Sequence, residues 1–212
     1  MKVGDFGLGQ NGSTPVIPTD GSAIGSGFYR SSVSEDNVYG NQVALVRLGW
    51  NSSRQAEFGG IISGSSTRFL GRVQIANNTW SQIVEFYHQQ SILGTVSQTA
   101  GVPTGRLIEQ GSNANGQFRR FACGLQICWR TDLSAPNANT ALGSVFRSGN
   151  VTWTFPAVFA VAASVMGSTD DPDAWATTAA PTTTSVVLRV LAGVTKAAAL
   201  PFRAVAIGRW FV

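Results

Sequence analysis

Along most of this chain apolar and polar residues alternate with a period of two, in short runs separated by Gly, Ser, Asn and Pro. That period puts successive side chains on opposite faces of an extended strand. One run starts at Gly27-Phe28-Tyr29-Arg30. A second covers 42–50, with Val43, Leu45 and Arg47 on one face and Ala44, Val46, Leu48 and Trp50 on the other. Runs at 58–63 and 68–75 follow, split by Ser63-Gly64-Ser65-Ser66, and Asn77-Asn78 marks a turn. Only 79–88 has helical spacing. Trp80, Ile83, Val84 and Tyr87 stand at i, i+3, i+4 and i+7, which predicts a short helix.

The second half repeats the strand pattern with longer gaps. A hairpin is expected over 117–130 with its turn at Gly124, where Phe118, Ala122, Leu125, Ile127 and Trp129 share a face interrupted by Arg120. Val151, Trp153 and Phe155 alternate with Thr152 and Thr154 until Pro156 stops the strand. Further strands are expected over 158–166, 185–191 and 202–212. Polar tracts at 131–150 and 167–184 lie between them. Strands joined by long polar loops predict a β-sandwich over 106–212. A low-charge connector, 91–105, ends in Gly101-Val102-Pro103-Thr104-Gly105 and separates it from a smaller β domain over 27–90. The fold class is all-β.

Composition narrows the function. Only 12% of the 212 residues are charged, against about 25% in an ordinary soluble domain, and 24 are Gly. Disordered tails need more charge and fewer aromatics, and helical bundles need Ala, Glu, Lys and Leu at helical period. No apolar run is long enough for a membrane-spanning helix. The net charge of +4 comes from arginines scattered singly, apart from Arg119-Arg120; Lys2 and Lys196 are the only lysines. A nucleic-acid surface would gather its basic residues, so nucleic acid is not an expected partner. Met1-Lys2-Val3-Gly4-Asp5 lacks the charged and apolar regions of a secretory signal, which predicts synthesis in a cytoplasm.

Candidate chemistry is sparse. Cys123 at the turn and Cys128 along the strand would stand about 16 Å apart at 3.3 Å per residue, too far for a disulfide, so both are expected as reduced thiols. His88 is the only histidine, so a Ser-His-Asp triad or a single-chain metal site has too few members. Three copies of His88 around an axis would be a metal site, but a histidine ordered beside Tyr87 is the plainer reading. Glu57, Glu85 and Glu109 are far apart in sequence and do not suggest a glycosidase pair.

At Gly111-Ser112-Asn113-Ala114-Asn115-Gly116-Gln117-Phe118-Arg119-Arg120-Phe121-Ala122, then Gly124 and Gln126-Ile127-Cys128, the chain resembles the C-terminal domains of phage and prophage tail fibres. Thr152-Trp153-Thr154-Phe155-Pro156-Ala157-Val158-Phe159 is similar to the Phe-Pro-x-x-Phe strand of those domains, and Ala206-Ile207-Gly208-Arg209-Trp210-Phe211 to their last strand. The first half resembles pyocin-type knob domains through Gly27-Phe28-Tyr29-Arg30, 72–80 and Tyr87-His88, with Leu93-Gly94-Thr95-Val96-Ser97-Gln98 as a fibre connector. Two departures stand out: Ile83 replaces a second Trp, and Cys123-Gly124 replaces an Asp-Gly turn.

The resemblance implies a homotrimeric virion fibre or spike tip that adsorbs to a bacterial surface polysaccharide, made in the host cytoplasm and displayed on the particle. It implies an attachment segment at 1–26 that docks onto other fibre or particle proteins, a knob-like domain at 27–90, the connector, and a receptor-binding β-sandwich at 106–212. It implies no enzyme, no cofactor and no membrane insertion. Sugar recognition uses an aromatic face with carboxylates and amides on exposed loops. Trp175 is the leading candidate, with Asp170, Asp171, Asp173, Asn137 and Asn139 as hydrogen-bonding partners; the other five Trp are expected in the core. The three aspartates would also suit Ca²⁺, although a solvated loop is the simpler expectation. The alternatives are a structural spike base or adaptor of a tail, head or gene-transfer particle without receptor contact, and, more weakly, a capsule depolymerase.

Overall fold

Strands form wherever the alternating pattern holds. The computed structural model describes residues 26–31, 39, 42–51, 53–61, 68–77 and 79–212. The proposed attachment segment therefore lies outside the described residues except for Ser26, whose hydroxyl accepts from the Gly49 amide. The chain divides into two compact units, Met1–Gln90 and Ser91–Val212.

In the first unit β1 (Gly27–Ser31), β2 (Val43–Asn51), β3 (Arg54–Ile61) and β4 (Phe69–Ala76) form an antiparallel sheet in sequence order. The expected helix over 79–88 does not form. β5 (Thr79–Trp80) and β6 (Val84–Phe86) pair with β4 instead, setting Phe69 opposite Phe86 and Gly71 opposite Val84. The reason is that these apolar residues do not share a buried stripe: Ile83, Val84 and Tyr87 are exposed, whereas Trp80 lies over Arg72. The helical turn α1 (Gln89–Ile92) follows.

The faces of this sheet are reversed from the usual arrangement. Its covered face carries Val43, Leu45 and Leu70 together with Arg47, Glu57 and Arg72, all buried. Both Glu57 carboxylate oxygens are engaged. Arg47 Nε donates to Oε1 at 2.8 Å and Arg72 Nε to Oε2 at 2.6 Å, while the Tyr39 hydroxyl also donates to Oε2. Arg47 stacks over Tyr29 and Trp80, and Arg72 over Tyr39 and Trp80. Burial alone would raise the Glu57 carboxyl, but hydrogen bonds from Arg72 and Tyr39 and the arginine charges hold it below its usual value. The opposite face is apolar and exposed. Cross-strand pairing lines up Phe28, Val46, Phe58 and Val84, flanked by Leu48 with Val73 and by Phe69 with Phe86.

The second unit begins with the minor hairpin β7 (Gln98–Thr99) and β8 (Val102–Pro103). The surrounding segment is fastened to the strand that follows, with Gly94 N donating to Ile108 O and Val96 N to the Glu109 carboxylate. Next come β9 (Ile108–Asn113), β10 (Gly116–Phe121), β11 (Leu125–Ala135), β12 (Ala138–Leu142), β13 (Val145–Ser148) and β14 (Val151–Thr154). The last four strands are β15 (Ser164–Thr169), β16 (Ala174–Thr178), β17 (Ser185–Ala192) and β18 (Leu200–Arg209). One sheet runs β15-β18-β11-β10-β9. The other runs β12-β13-β17-β14, with β16 on the far side of β17. Their inner faces meet in the sandwich expected from the sequence, around Cys128, Leu133, Trp153, Phe159, Leu188, Val190 and Phe202.

The polar tracts expected as loops are partly strand: 131–150 carries the end of β11 with β12 and β13, and 167–184 carries the end of β15 with β16. Two further details differ from expectation. The turn after β10 centres on Ala122-Cys123, closed by Gly124 N donating to Phe121 O, and Gly124 follows at φ +94° in a bulge suited to glycine. In the resulting register Phe118 opposes Cys128 and Arg120 opposes Gln126 on the inner face, so Leu125, Ile127 and Trp129 lie on the outer one. The 158–166 run is irregular until β15 begins at Ser164.

Candidate functional site

The motifs at 111–128, 152–159 and 206–211 converge on one scaffold. In the β9–β10 hairpin Asn113 Oδ1 accepts from Asn115 N, and Asn113 Nδ2 donates to Pro156 O. The Asn115 carbonyl accepts from the indole of the buried Trp153 at 2.8 Å. Gly116 is at φ +126°, and a Cβ there would lie 2.4 Å from Trp129 O. Gln126 Nε2 donates to Ala157 O, and Trp210 Nε1 to Phe121 O. These residues hold the sandwich shut.

The polar candidates gather at one end of the second sheet. Lys196 Nζ lies 2.8 Å from Asp171 and 3.5 Å from Asp173, and its backbone exchanges both hydrogen bonds with Ala138, between Asn137 and Asn139. Asn139 is the extra residue of a bulge, since Ala138 pairs with Ser148 and Thr140 with Arg147. Asp171 Oδ1 accepts from Asp173 N. The Lys196 ammonium holds the Asp171 carboxyl below its usual value, and the lysine is raised in return. Asp170 turns away to Arg203 at 2.9 Å. The three aspartates thus form ion pairs instead of one oxygen cage. Among the described residues no three His, Cys, Asp or Glu side chains lie together as a metal-ligand set.

Trp175 stands on a regular strand, not in the polar loop where the sequence placed it. It pairs with Leu191, which pairs with Arg147, which pairs with Thr140. Because Val190 and Ala192 point into the core, this row faces outward, with Trp175 45% exposed. Thr177 and Arg189 form the next pair on the same face, and Arg189 Nε donates to Asn150. A flat indole beside guanidinium and hydroxyl groups is a platform for a hydroxylated ring.

The expectation that the other five Trp are core holds for Trp153 alone in full. Trp50 is 90% exposed and borders a groove of about 500 Å³ with Leu48, Arg54 and Gln55. Trp129 lies on the outer face of the first sheet, beneath Arg119 and beside a groove of about 290 Å³ lined by Arg130, Met166 and Arg203. Arg147 was missed because only cross-strand register places it in the same outward row as Trp175, across Leu191. His88 packs edge-on to Phe69 and accepts from Gln90 N. Glu85 pairs with Arg68, and Glu109 lies 3.9 Å from Arg120.

No family model matches the chain, and no curated protein matches it. Among solved structures it is similar to the C-terminal part of the R2 pyocin fibre of P. aeruginosa, at 17% identity and a TM-score of 0.35, over 97% of this chain and 69% of that one. It is similar to the R1 pyocin fibre of P. aeruginosa at 15% identity and a TM-score of 0.34, over 96% and 70%. An N-truncated R2-type pyocin tail fibre matches at 17% identity and a TM-score of 0.36, over 92% and 96%. The solved structures that this chain is similar to are thus pyocin tail fibres.

Proposed function

We propose that this protein is a homotrimeric fibre or spike component of a virion or phage-like particle and adsorbs to a bacterial surface glycan through its second unit. It acts by binding, without catalysis or cofactor. The observation that carries the binding reading is Trp175, an exposed aromatic on a rigid sheet face beside the loop cluster at Lys196. Aromatics anchored on a sheet offer a sugar a surface that costs little ordering entropy. Assembly with copies of itself is supported by the exposed apolar face of the first unit, where Phe28, Phe58, Phe69, Phe86, Leu48 and Val73 are all open to water.

The test uses the full chain. Sedimentation velocity should give a trimer, and labelled protein should bind host cells, with W175A losing most of that binding while keeping its melting temperature. A monomer that binds no cells overturns the proposal. The same apolar face suits docking onto a neighbouring particle protein, which favours the adaptor reading; particles lacking this chain would then adsorb normally.

A further inference from the structure

We propose that the outward face of the sheet centred on β17 takes an acidic glycan, one bearing carboxylate or phosphate groups; this rests on the reading that the second unit binds a surface glycan. The charge of the molecule is divided unequally. Met1–Gln90 holds six basic and six acidic residues, whereas Ser91–Val212 holds nine and five, so the whole net charge of +4 belongs to the second unit. All five of its carboxylates are already matched: Glu109 with Arg120, Asp132 with Arg130, Asp170 with Arg203, and Asp171 and Asp173 with Lys196.

What remains is cationic. β12, β13, β14, β16 and β17 contain Arg147 and Arg189 and no Asp or Glu. The Arg147 side chain has no hydrogen-bond or ion-pair partner among the described residues. It stands two strands from Trp175 in the same outward row, about 10 Å at the usual strand spacing. Arg189, held by Asn150, occupies the adjacent row. A sugar ring stacked on Trp175 would therefore present a neighbouring acidic group to Arg147, whose planar fork matches carboxylate and phosphate alike. A neutral glycan would leave the charge of both guanidinium groups uncompensated.

Calorimetric titration of the full chain with oligogalacturonate, a phosphorylated lipopolysaccharide core oligosaccharide and a neutral dextran oligosaccharide tests this. The expected result is acidic ligands at least about tenfold tighter than dextran, weakening as salt rises. R147Q should weaken the acidic ligand about tenfold, R147K should recover most of the loss, and the melting temperature should stay unchanged. Preference for galacturonate or for the phosphorylated core identifies the acidic group, and either supports the proposal. Cell binding that persists with dextran binding as tight as the acidic ligands, or with R147Q unchanged, overturns this inference alone. No binding to cells or to any of the three glycans overturns the glycan reading with it.

Discussion

Glu57 joins Arg47, Arg72 and Tyr39 in the buried charge network of the first unit. Removing one member of a buried charge network leaves its partners unpaired, at about 3–5 kcal/mol. Glu57→Gln should therefore lower the denaturation free energy of the first unit by an amount of that order, read from the midpoint of its urea transition. The same carboxyl sets an acid limit. Its value in the folded protein lies below the usual 4.5, so its stabilisation is complete only above about pH 5 and is lost as pH falls from there through the lowered value. Melting curves taken downward from pH 5 should show this loss, and Glu57→Gln should flatten it. The cysteines separate in the same way. Burial pushes the Cys128 thiol up to about 11, while Cys123 is exposed. At pH 8 a thiol reagent should label one cysteine in the native protein and both after unfolding.

At the scale of elements, period and turn residues were enough to read most strands, including the hairpin over 117–130 and the sandwich around it. They could not say which face of β2 is covered. Both of its faces are apolar apart from the single charge at Arg47. Its burial depends on Glu57 and Arg72, which stand on neighbouring strands and reach it only through register. The helical spacing at 79–88 failed for a related reason: pairing with the free edge of β4 outweighed local periodicity. Trp175 is an exposed aromatic, but Arg147, two strands away in the same outward row, lies 28 positions earlier in the sequence and was invisible without the sheet. The β9–β10 hairpin is a rigid element whose glycine is irreplaceable on geometric grounds. Gly116→Val should break its register and expose Trp153, measurable as a red shift in tryptophan emission and a loss of several degrees in melting temperature.

Across the whole molecule, the residues that carry the likeness to fibre domains and those that form the proposed binding surface are different sets. The motifs at 111–128, 152–159 and 206–211 bond to one another, while Trp175, Arg147 and Arg189 belong to none of them. Exchanging the outer residues of β13, β16 and β17 should thus change which cells are bound and leave the melting temperature within a few degrees; adsorption assays on two host strains would read the exchange. The reversed sheet of the first unit acts on a different variable. Placing charge on its apolar face, as in Phe58→Asp, should leave the strands intact by circular dichroism and shift sedimentation toward monomer. A surface of this kind ties folding to the law of mass action: the wild-type melting temperature should rise with protein concentration, and chains newly released from ribosomes should depend on meeting their sisters before they meet anything else.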